Sequence, residues 1–221
     1  YMALVSLCDF LLGSVLDFFD QENLWDDTTL ILTTDHGFML GEHDWWAKNR
    51  MPMYNEIAHI PLFIYHPNFK DKVGERRSVI TQNIDLMPTF LENNNVKIPD
   101  EVQGKSLLQF LDKEEKTNHS ALYGYWGGGI NITDGRYTYF YYPDNMKRTD
   151  PFQYTLMPTH LRQFFTINEL KSAELQKPFS FTKGMPVLKI RNDEETIPLI
   201  LVFLFIRNNI TNKINPSPIL S

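Results

Sequence analysis

Hydrophobic and polar positions along the chain predict a long amphipathic helix followed by short buried strands. Apolar side chains recur through residues 1–22 at the spacing of a helix with one buried face. An apolar, β-branched run directly before Asp35 predicts a buried strand, and residues 60–65 predict a second one. Residues 79–81 predict a third, shorter strand. A helix followed by buried strands is typical of an α/β domain.

Two further helices are predicted by residues that favour helix N-caps. Asp85 stands at such a position before a helix over residues 86–91, and Ser106 precedes a short helix over residues 107–111. Side-chain oxygens at an N-cap accept hydrogen bonds from the first backbone N–H groups of a helix. We expect these helices to flank the predicted sheet.

From about residue 120 the pattern changes to that of an antiparallel sheet. An Asp-Gly pair at 134–135 lies between two apolar runs and is a two-residue hairpin signal. Thr166 and Glu169 have the form of a capping box, which predicts a helix that runs to about Gln176. Residues 143–165 carry prolines and aromatics without a clear period, so they are predicted to form an extended loop.

Candidate chemistry lies at the end of the first strand, where Asp35, His36 and Gly37 follow one another. Open parallel sheets bind ligands beyond the carboxyl ends of their strands, so this position favours a binding site. Neighbouring residues of a strand point to opposite faces, so Asp35 and His36 converge only if the strand ends there, which the backbone freedom of Gly37 would allow. One carboxylate and one imidazole could share Ca²⁺, Mg²⁺ or Mn²⁺, with zinc less favoured. The alternative is a capped turn beside a packed histidine.

Lys48 and His43 lie in the same segment as the proposed ligands. Lys48, thirteen residues after Asp35, could hold an anionic oxygen and stabilise the charge that develops on it. The alternative is a surface lysine whose stem packs on the preceding tryptophans. His43 could be a further ligand or a proton donor, or it could order the loop through hydrogen bonds. Cys8 is predicted to be a buried structural thiol on the apolar face of the first helix.

Composition and charge narrow the function classes. The 221 residues are 43% hydrophobic and 22% charged, which is typical of a soluble globular protein. The net charge of −6 argues against a nucleic-acid partner, because phosphate binding calls for clustered Lys and Arg. A single cysteine excludes an internal disulfide. The apolar run 197–206 is about half as long as a membrane-spanning helix and no signal peptide is visible, so we expect no membrane partner and a cytoplasmic location.

Several segments of the sequence resemble the second half of the sulfatases, which belong to the alkaline phosphatase superfamily. These segments are residues 30–43 with Lys48, 60–65, 85–89, 103–107 and 133–137. The similarity extends over roughly residues 1–190, and its first segment is highly specific. The resemblance implies an α/β fold with an alkaline-phosphatase-like mixed sheet and flanking helices, followed by a smaller antiparallel sheet with a helix.

The resemblance also implies a reaction and residues that take part in it. In this family a formylglycine, made from Cys or Ser, attacks the sulfur of a sulfate ester beside a divalent cation. The resemblance implies that Asp35 and His36 are two of the cation's ligands, and that Lys48 is a catalytic residue that binds the sulfate. His43 is a further candidate for substrate binding. Calcium is the expected cation, with manganese or magnesium as alternatives, and a phosphonate or phosphate ester is the alternative substrate.

The amino-terminal half of the family, with its formylglycine motif and remaining carboxylate ligands, has no counterpart in these residues. We therefore expect a fragment that is inactive by itself, with the formylglycine in the missing N-terminal half. Its expected partners are that half or a second copy of the chain, and a noncatalytic remnant is the alternative. The expected division is a portion of the α/β domain at 1–115, an antiparallel subdomain with a helix at 116–195, and an atypical tail at 196–221.

Overall fold

A computed structural model of the chain describes residues 1–48, 51–72, 74–113, 120–124, 129–142, 152–160 and 163–191, together with the backbone of 205–207. Within these residues the α-helices are α1 (Met2–Gln21), α2 (Asn55–Ala58), α3 (Leu86–Asn93), α4 (Leu108–Asp112) and α5 (Ile167–Ser172). The strands of the first half are β1 (Leu30–Thr33), β2 (Met39–Leu40), β3 (Trp46–Ala47), β4 (Leu62–Tyr65) and β5 (Ile80–Gln82). The later strands are β6 (Ala121–Gly124), β7 (Ile130–Thr133), β8 (Thr138–Tyr141), β9 (Phe152–Thr155), β10 (Glu174–Gln176), β11 (Val187–Arg191) and β12 (Phe205–Arg207).

The described strands form small sheets whose pairs are all antiparallel. β1 pairs with β4, β2 with β3, and β5 with β12, while two three-stranded sheets have the orders β6-β7-β8 and β10-β11-β9. The expectation that the first strand belongs to a parallel sheet is therefore wrong for these residues. A parallel pair would need the chain to return to the start of β1 before β4 begins, whereas β4 begins at Leu62 beside Thr33, the last residue of β1. The chain is thus a mixed α/β fold with small antiparallel sheets.

The hydrophobic core lies around β4 and α2. It includes Met39 of β2, the first strand of the hairpin that leads to Lys48. Its fully buried apolar side chains among the described residues are Met39, Met51, Met53, Ile57, Ala58, Ile60, Leu62, Ile64, Leu107, Phe110, Leu111 and Ala121. Met39 belongs to β2, so one side of the short β2–β3 hairpin is anchored in this core. The core therefore links the hairpin to α2 and to β4.

The predicted first helix is confirmed as α1, but only its last turns face the core. Leu16 and Phe19 are buried, and the Phe19 ring packs on Trp25 with centroids 4.9 Å apart. Cys8 is exposed, so the prediction of a buried thiol is wrong, because the earlier turns of α1 extend beyond this contact. By length and composition α1 could also cross a membrane, a property that packed core helices share. The expectation of no membrane partner stays a prediction.

The predicted helices after residue 85 are confirmed, with a change in how they are capped. The Asp85 carboxylate accepts hydrogen bonds from the backbone N–H groups of Gln82 (2.7 Å) and Lys105 (2.8 Å), so it joins the start of α3 to a distant loop. Before α4, the Ser106 hydroxyl oxygen accepts a hydrogen bond from Leu108 N at 3.3 Å. The N-cap of α4 is Leu107, so Ser106 lies one residue before the predicted cap position and still binds the first N–H group of the helix.

The hairpin between β7 and β8 exists, but its loop is longer than predicted. Thr133 pairs with Thr138, which leaves a four-residue loop in place of two residues. Asp134 Oδ1 accepts hydrogen bonds from the backbone N–H groups of Arg136 (2.8 Å) and Tyr137 (2.6 Å), and Gly135 has a φ of +85°. The Asp-Gly pair thus closes the turn through its side chain, and this interaction favours the longer loop.

The capping box at Thr166 is confirmed, but the helix that follows is shorter than predicted. Thr166 N donates to Glu169 Oε2 at 2.7 Å, and Glu169 N donates to Thr166 Oγ1 at 3.3 Å. α5 ends at Ser172 because the next residues pair with β11 as strand β10. The predicted loop at 143–165 is also partly wrong, since β9 lies within it and pairs with the other edge of β11.

The predicted tail at 196–221 lies outside the described residues except for β12. The backbone of β12 pairs with β5, with Ile206 opposite Thr81. The division at 115 and 195 stays a prediction.

Candidate metal and anion site

The chain leaves the first sheet immediately after Thr33, so Asp35 and His36 lie beyond the end of β1. Thr33 Oγ1 donates to Pro61 O at 2.9 Å, and Gly37 N donates to Ile57 O at 2.8 Å. These bonds hold the turn between the start of β4 and α2. Asp35 Oδ1 accepts a hydrogen bond from His36 N at 2.9 Å, which orients the carboxylate.

Gly37 is required by a close backbone approach. A Cβ at this position would lie 1.7 Å from the carbonyl oxygen of Glu56, which is part of α2. The predicted reason, an unusual backbone angle, is wrong, because the φ of Gly37 lies outside the left-handed region. The glycine therefore lets the strand-end turn rest directly on α2.

The His36 ring is fixed by hydrogen bonds at both nitrogens. Nδ1 lies 2.8 Å from Gly37 O, so it carries the proton and donates to this carbonyl. Nε2 lies 2.6 Å from Lys48 Nζ and accepts a hydrogen bond from the ammonium, which has no lone pair of its own. In this arrangement the Nε2 lone pair is directed at a cation. Metal-binding histidines commonly have this arrangement, with the second nitrogen bound to a backbone carbonyl.

Asp35 and Lys48 both approach His36 Nε2, so the three side chains predicted from the sequence lie together. Asp35 Oδ2 is 3.3 Å from Nε2, and the Asp35 side chain is 80% exposed while that of His36 is 15% exposed. The carboxylate therefore faces solvent beside a largely covered imidazole. This corner has one hard oxygen donor, one nitrogen donor and one ammonium within reach of the same point.

The donor set fits part of a divalent cation site. Ca²⁺ takes about 6–8 oxygen ligands, and Asp35 and His36 supply two side chains. Among the residues that the structure describes, no group of three or more His, Cys, Asp or Glu side chains could hold a metal ion. Any cation at this corner would therefore need further ligands from outside the described residues.

His43 is directed toward α2. Its ring stacks on Tyr54 with centroids 4.0 Å apart, and its Nε2 lies 3.5 Å from Glu56 Oε1. The sequence patterns predicted no contact of His43 with Tyr54 or Glu56, because these contacts depend on how α2 packs against the hairpin.

Two groups outside the corner have lowered pKa values. Glu42 Oε2 accepts a hydrogen bond from Leu40 N at 2.6 Å, and this bond, with one from its own N–H group, lowers the pKa of Glu42. Burial lowers the pKa of His66, which lies at the opposite end of β4 with its ring between Asn93 Oδ1 (2.8 Å) and the N–H group of Asn68 (3.1 Å). Glu42 therefore stabilises the hairpin as an anion, and His66 is part of the packing away from the site.

Comparisons with known proteins show which family this chain resembles. Residues 41–149 match the family described as N-sulphoglucosamine sulphohydrolase, C-terminal. The chain is 38% identical over 117 residues to the N-acetylglucosamine-6-O-sulfatase of Bacteroides thetaiotaomicron, a match that covers 53% of this chain and 20% of that protein. It is also 38% identical over 112 residues to the multifunctional alkaline phosphatase superfamily protein of Trinickia caryophylli, covering 50% of this chain and 21% of the relative.

A structural comparison gives the same result. A protein solved in complex with its substrate, D-glucosamine-2-N,6-O-disulfate, matches with a TM-score of 0.55 and 26% identity over 66% of this chain and 31% of that protein. The chain thus spans about a fifth of the length of the two sequence relatives and about a third of the structural one. The resemblance that the motifs predicted is confirmed: the chain is similar to sulfatases, and the family model that it matches describes a C-terminal part of them.

Proposed function

We propose that this chain takes part in the hydrolysis of sulfate esters by supplying two cation ligands, Asp35 and His36, and a sulfate-binding residue, Lys48. The approach of Lys48 Nζ and Asp35 Oδ2 to His36 Nε2, at 2.6 and 3.3 Å, is the observation that carries the proposal. A carboxylate, an imidazole lone pair and an ammonium at one corner suit a site that binds a cation and an anion side by side.

Asp35 and His36 would bind the cation through Oδ2 and Nε2. The bond from His36 Nδ1 to Gly37 O fixes the ring and makes Nε2 a better donor. The proposed ion is calcium, with manganese or magnesium as alternatives. When bound, a divalent cation screens the charge of the ester and orients the attacking group.

Lys48 would bind an oxygen of the tetrahedral anion. In the described arrangement its ammonium donates to His36 Nε2, the same lone pair that a cation would take. With this lone pair taken by a cation, Lys48 would be left to bind the anion. There it neutralises the negative charge that develops on oxygen in the transition state.

The nucleophile and the remaining ligands must come from outside this chain. The only cysteine is followed by Asp9, Phe10 and Leu11, which does not fit the Cys/Ser-x-Pro-x-Arg pattern of the formylglycine site. We therefore propose that the 221 residues alone do not turn over substrate. A role limited to association, without catalysis, is the second candidate, and the uncovered apolar face of α1 favours it.

A phosphonate or phosphate ester is the alternative substrate. The similarity to a protein named for the alkaline phosphatase superfamily supports this possibility. Asp35, His36 and Lys48 suit either tetrahedral anion, since they recognise charge and oxygen. The nucleophile outside this chain would decide between them.

The experiment compares aryl sulfate and aryl phosphonate turnover by the 221-residue chain and by the longest protein that its gene encodes. We expect turnover only in a protein that adds a formylglycine motif, and we expect Asp35→Ala and Lys48→Ala to abolish it. His59→Gln, an exposed histidine next to α2, is the matched control. Sulfate turnover that survives both Asp35→Ala and Lys48→Ala would contradict the proposal.

A further inference from the structure

The loop that leads to Lys48 has a backbone that needs outside support. His43 and Asp44 have φ angles of +53° and +61°, and Ala47, directly before Lys48, has a φ of +75°. Residues other than glycine rarely adopt such angles unless the surrounding structure holds them there. The hairpin itself offers only two residue pairs, Met39 with Ala47 and Leu40 with Trp46. Such a short hairpin is not stable by itself.

His43 connects this loop to α2. Its ring lies nearly parallel to that of Tyr54, with an interplanar angle of 15° and centroids 4.0 Å apart. Its Nε2 lies 3.5 Å from Glu56 Oε1. Tyr54 directly precedes α2 and Glu56 lies in its single turn. One side chain of the strained loop thus makes both a stacking and a polar contact with the same short helix.

The same helix also holds the other half of the site. Gly37 N donates to Ile57 O, and the Gly37 backbone rests on the carbonyl of Glu56. His36 is therefore placed on α2 through Gly37, and the loop before Lys48 is placed on α2 through His43. Their common support explains how Lys48 Nζ reaches His36 Nε2 at 2.6 Å across twelve residues.

We propose that His43 is a positioning residue for Lys48, and that it acts through Tyr54 and Glu56 rather than by touching substrate or cation. The inference rests on the proposed function, since it concerns the residue that would bind the sulfate. Loss of the His43 ring frees the strained loop from α2. Lys48 then spends less time at the corner formed by Asp35 and His36.

The test reads the contact between Lys48 and His36 directly. In the full ¹⁵N-labelled chain, long-range proton–nitrogen correlation spectra report the His36 Nε2 resonance, which changes when its hydrogen bond is lost. Lys48→Met defines the resonance without the ammonium. We expect His43→Ala to move the wild-type resonance at least half of the way to that position, and His59→Gln to leave it unchanged. His43→Phe, which keeps the stacking on Tyr54, should restore most of the wild-type position.

Two further measurements separate positioning from general loss of structure and from the proposed function. Glu56→Gln, which keeps the shape of α2, should shift the His36 resonance in the same direction as His43→Ala, and it replaces His43→Ala if that variant has no cooperative melt. Titration with inorganic sulfate should show several-fold weaker binding for His43→Ala than for wild type. A wild-type chain that binds no sulfate would count against the proposed function alone, because the imidazole spectrum needs no sulfate. The positioning role would be overturned if Lys48→Met moved the His36 resonance while His43→Ala and Glu56→Gln left it in place.

Discussion

At the scale of single residues, Gly37 is the point where the strand-end turn touches α2. A Cβ there would meet the backbone oxygen of Glu56 at 1.7 Å, and a backbone atom cannot rotate away as a side chain does. We expect Gly37→Ala to lower the free energy of unfolding by about 1–3 kcal/mol, as overpacking does in protein cores. Denaturant titration measures this change.

A second glycine provides the matched control for this substitution. A Cβ at Gly13, within α1, meets nothing within 4 Å. Because alanine favours the helix, Gly13→Ala should raise stability by up to about 1 kcal/mol. If both substitutions changed stability equally, the close approach at Gly37 would not be a constraint.

Lys48 gives a prediction about the order of binding at the site. If Asp35 and His36 hold a divalent cation as proposed, the cation and the Lys48 ammonium would compete for the same lone pair of His36 Nε2. In a longer protein that supplies the remaining ligands, calcium should therefore release Lys48 for an anion and increase the affinity for inorganic sulfate, by about 5-fold or more if the coupling is of ordinary size. Calorimetric titrations with sulfate, with and without calcium, test this.

The control for this coupling is removal of the carboxylate. Asp35→Ala should weaken calcium binding and abolish the effect of calcium on sulfate affinity, while Asp44→Ala, an exposed acid in the same loop, should not. Equal sulfate affinity with and without calcium in that longer protein would show that Lys48 and the cation do not compete.

At the scale of elements, α4 is held by a buried arginine at its C-terminal end. Arg77 Nε donates to Phe110 O at 2.8 Å and Nη2 donates to Leu111 O at 2.9 Å. These carbonyls belong to the last turn of α4, where the helix offers no partners. Arg77→Met keeps the stem but leaves them unsatisfied, so we expect a loss of about 1–3 kcal/mol for each group left without a bond.

The neighbouring arginine separates this role from a general effect of charge. Arg76 is exposed, and Arg76→Met removes the same charge without changing the end of α4. We expect Arg76→Met to stay within about 0.5 kcal/mol of wild type, as surface substitutions usually do. Equal urea midpoints for the two variants would contradict the capping role of Arg77.

The start of α5 should make stability depend on acid pH. Burial opposes ionisation of Glu169, but hydrogen bonds from the Thr166 N–H and hydroxyl groups and from His160 outweigh it, so the pKa of Glu169 is lowered. The carboxylate therefore stabilises the fold above its ordinary pKa of 4.5, and this stabilisation is lost as the pH falls through the lower folded value. Glu169→Gln should be less stable than wild type near neutral pH, and the difference should shrink in acid.

Urea midpoints of wild type and Glu169→Gln, measured from about pH 7 to pH 3, show whether the two stabilities converge in acid. The control is Glu174→Gln, since Glu174 is an exposed acid on the adjacent strand β10. A stability difference between wild type and Glu169→Gln that stays constant over the whole range would show that the carboxylate is not stabilised by its charge.

The sequence predicted those elements whose signals are local. The capping box of α5 was predictable because Thr166 and Glu169 are three residues apart and satisfy each other. The end of α5 was not, because pairing of β10 with β11 ends the helix from a distance. For the same reason the sequence did not predict that β4 pairs antiparallel with β1. Strand direction depends on the path of the intervening chain.

The candidate site shows the same difference between local signals, which the sequence reveals, and tertiary contacts, which it does not. Asp35, His36 and Lys48 were predicted because they occupy one short segment whose spacing resembles that of a family. The contacts of Tyr54 and Glu56 with His43 were not predicted, since they require α2 to pack beneath both the turn and the hairpin. The sequence therefore revealed the charged groups, and the fold revealed what holds them.

At the scale of the whole molecule, α1 is apolar on more than one side. Its buried contacts come from Leu16 and Phe19, while a second apolar stripe at helical spacing is exposed. This stripe consists of Leu4, Leu7, Leu11, Val15 and Phe18. A helix that is hydrophobic nearly all round is usually buried on every side. Exposed stripes of this kind favour association, because burying one leucine contributes about 1.5–3 kcal/mol.

We therefore expect the purified 221-residue chain to self-associate through α1. Sedimentation velocity should show species larger than the 25.9 kDa monomer, in proportions that rise with concentration. Leu11→Glu places a charge at the centre of the stripe, where the side chain is 54% exposed, and should shift the chain to monomer without loss of its melting transition. Ser6→Glu adds the same charge to the polar side of α1 and should leave the distribution unchanged. A wild-type chain that stays monomeric with a cooperative melt would show that the stripe does not drive association.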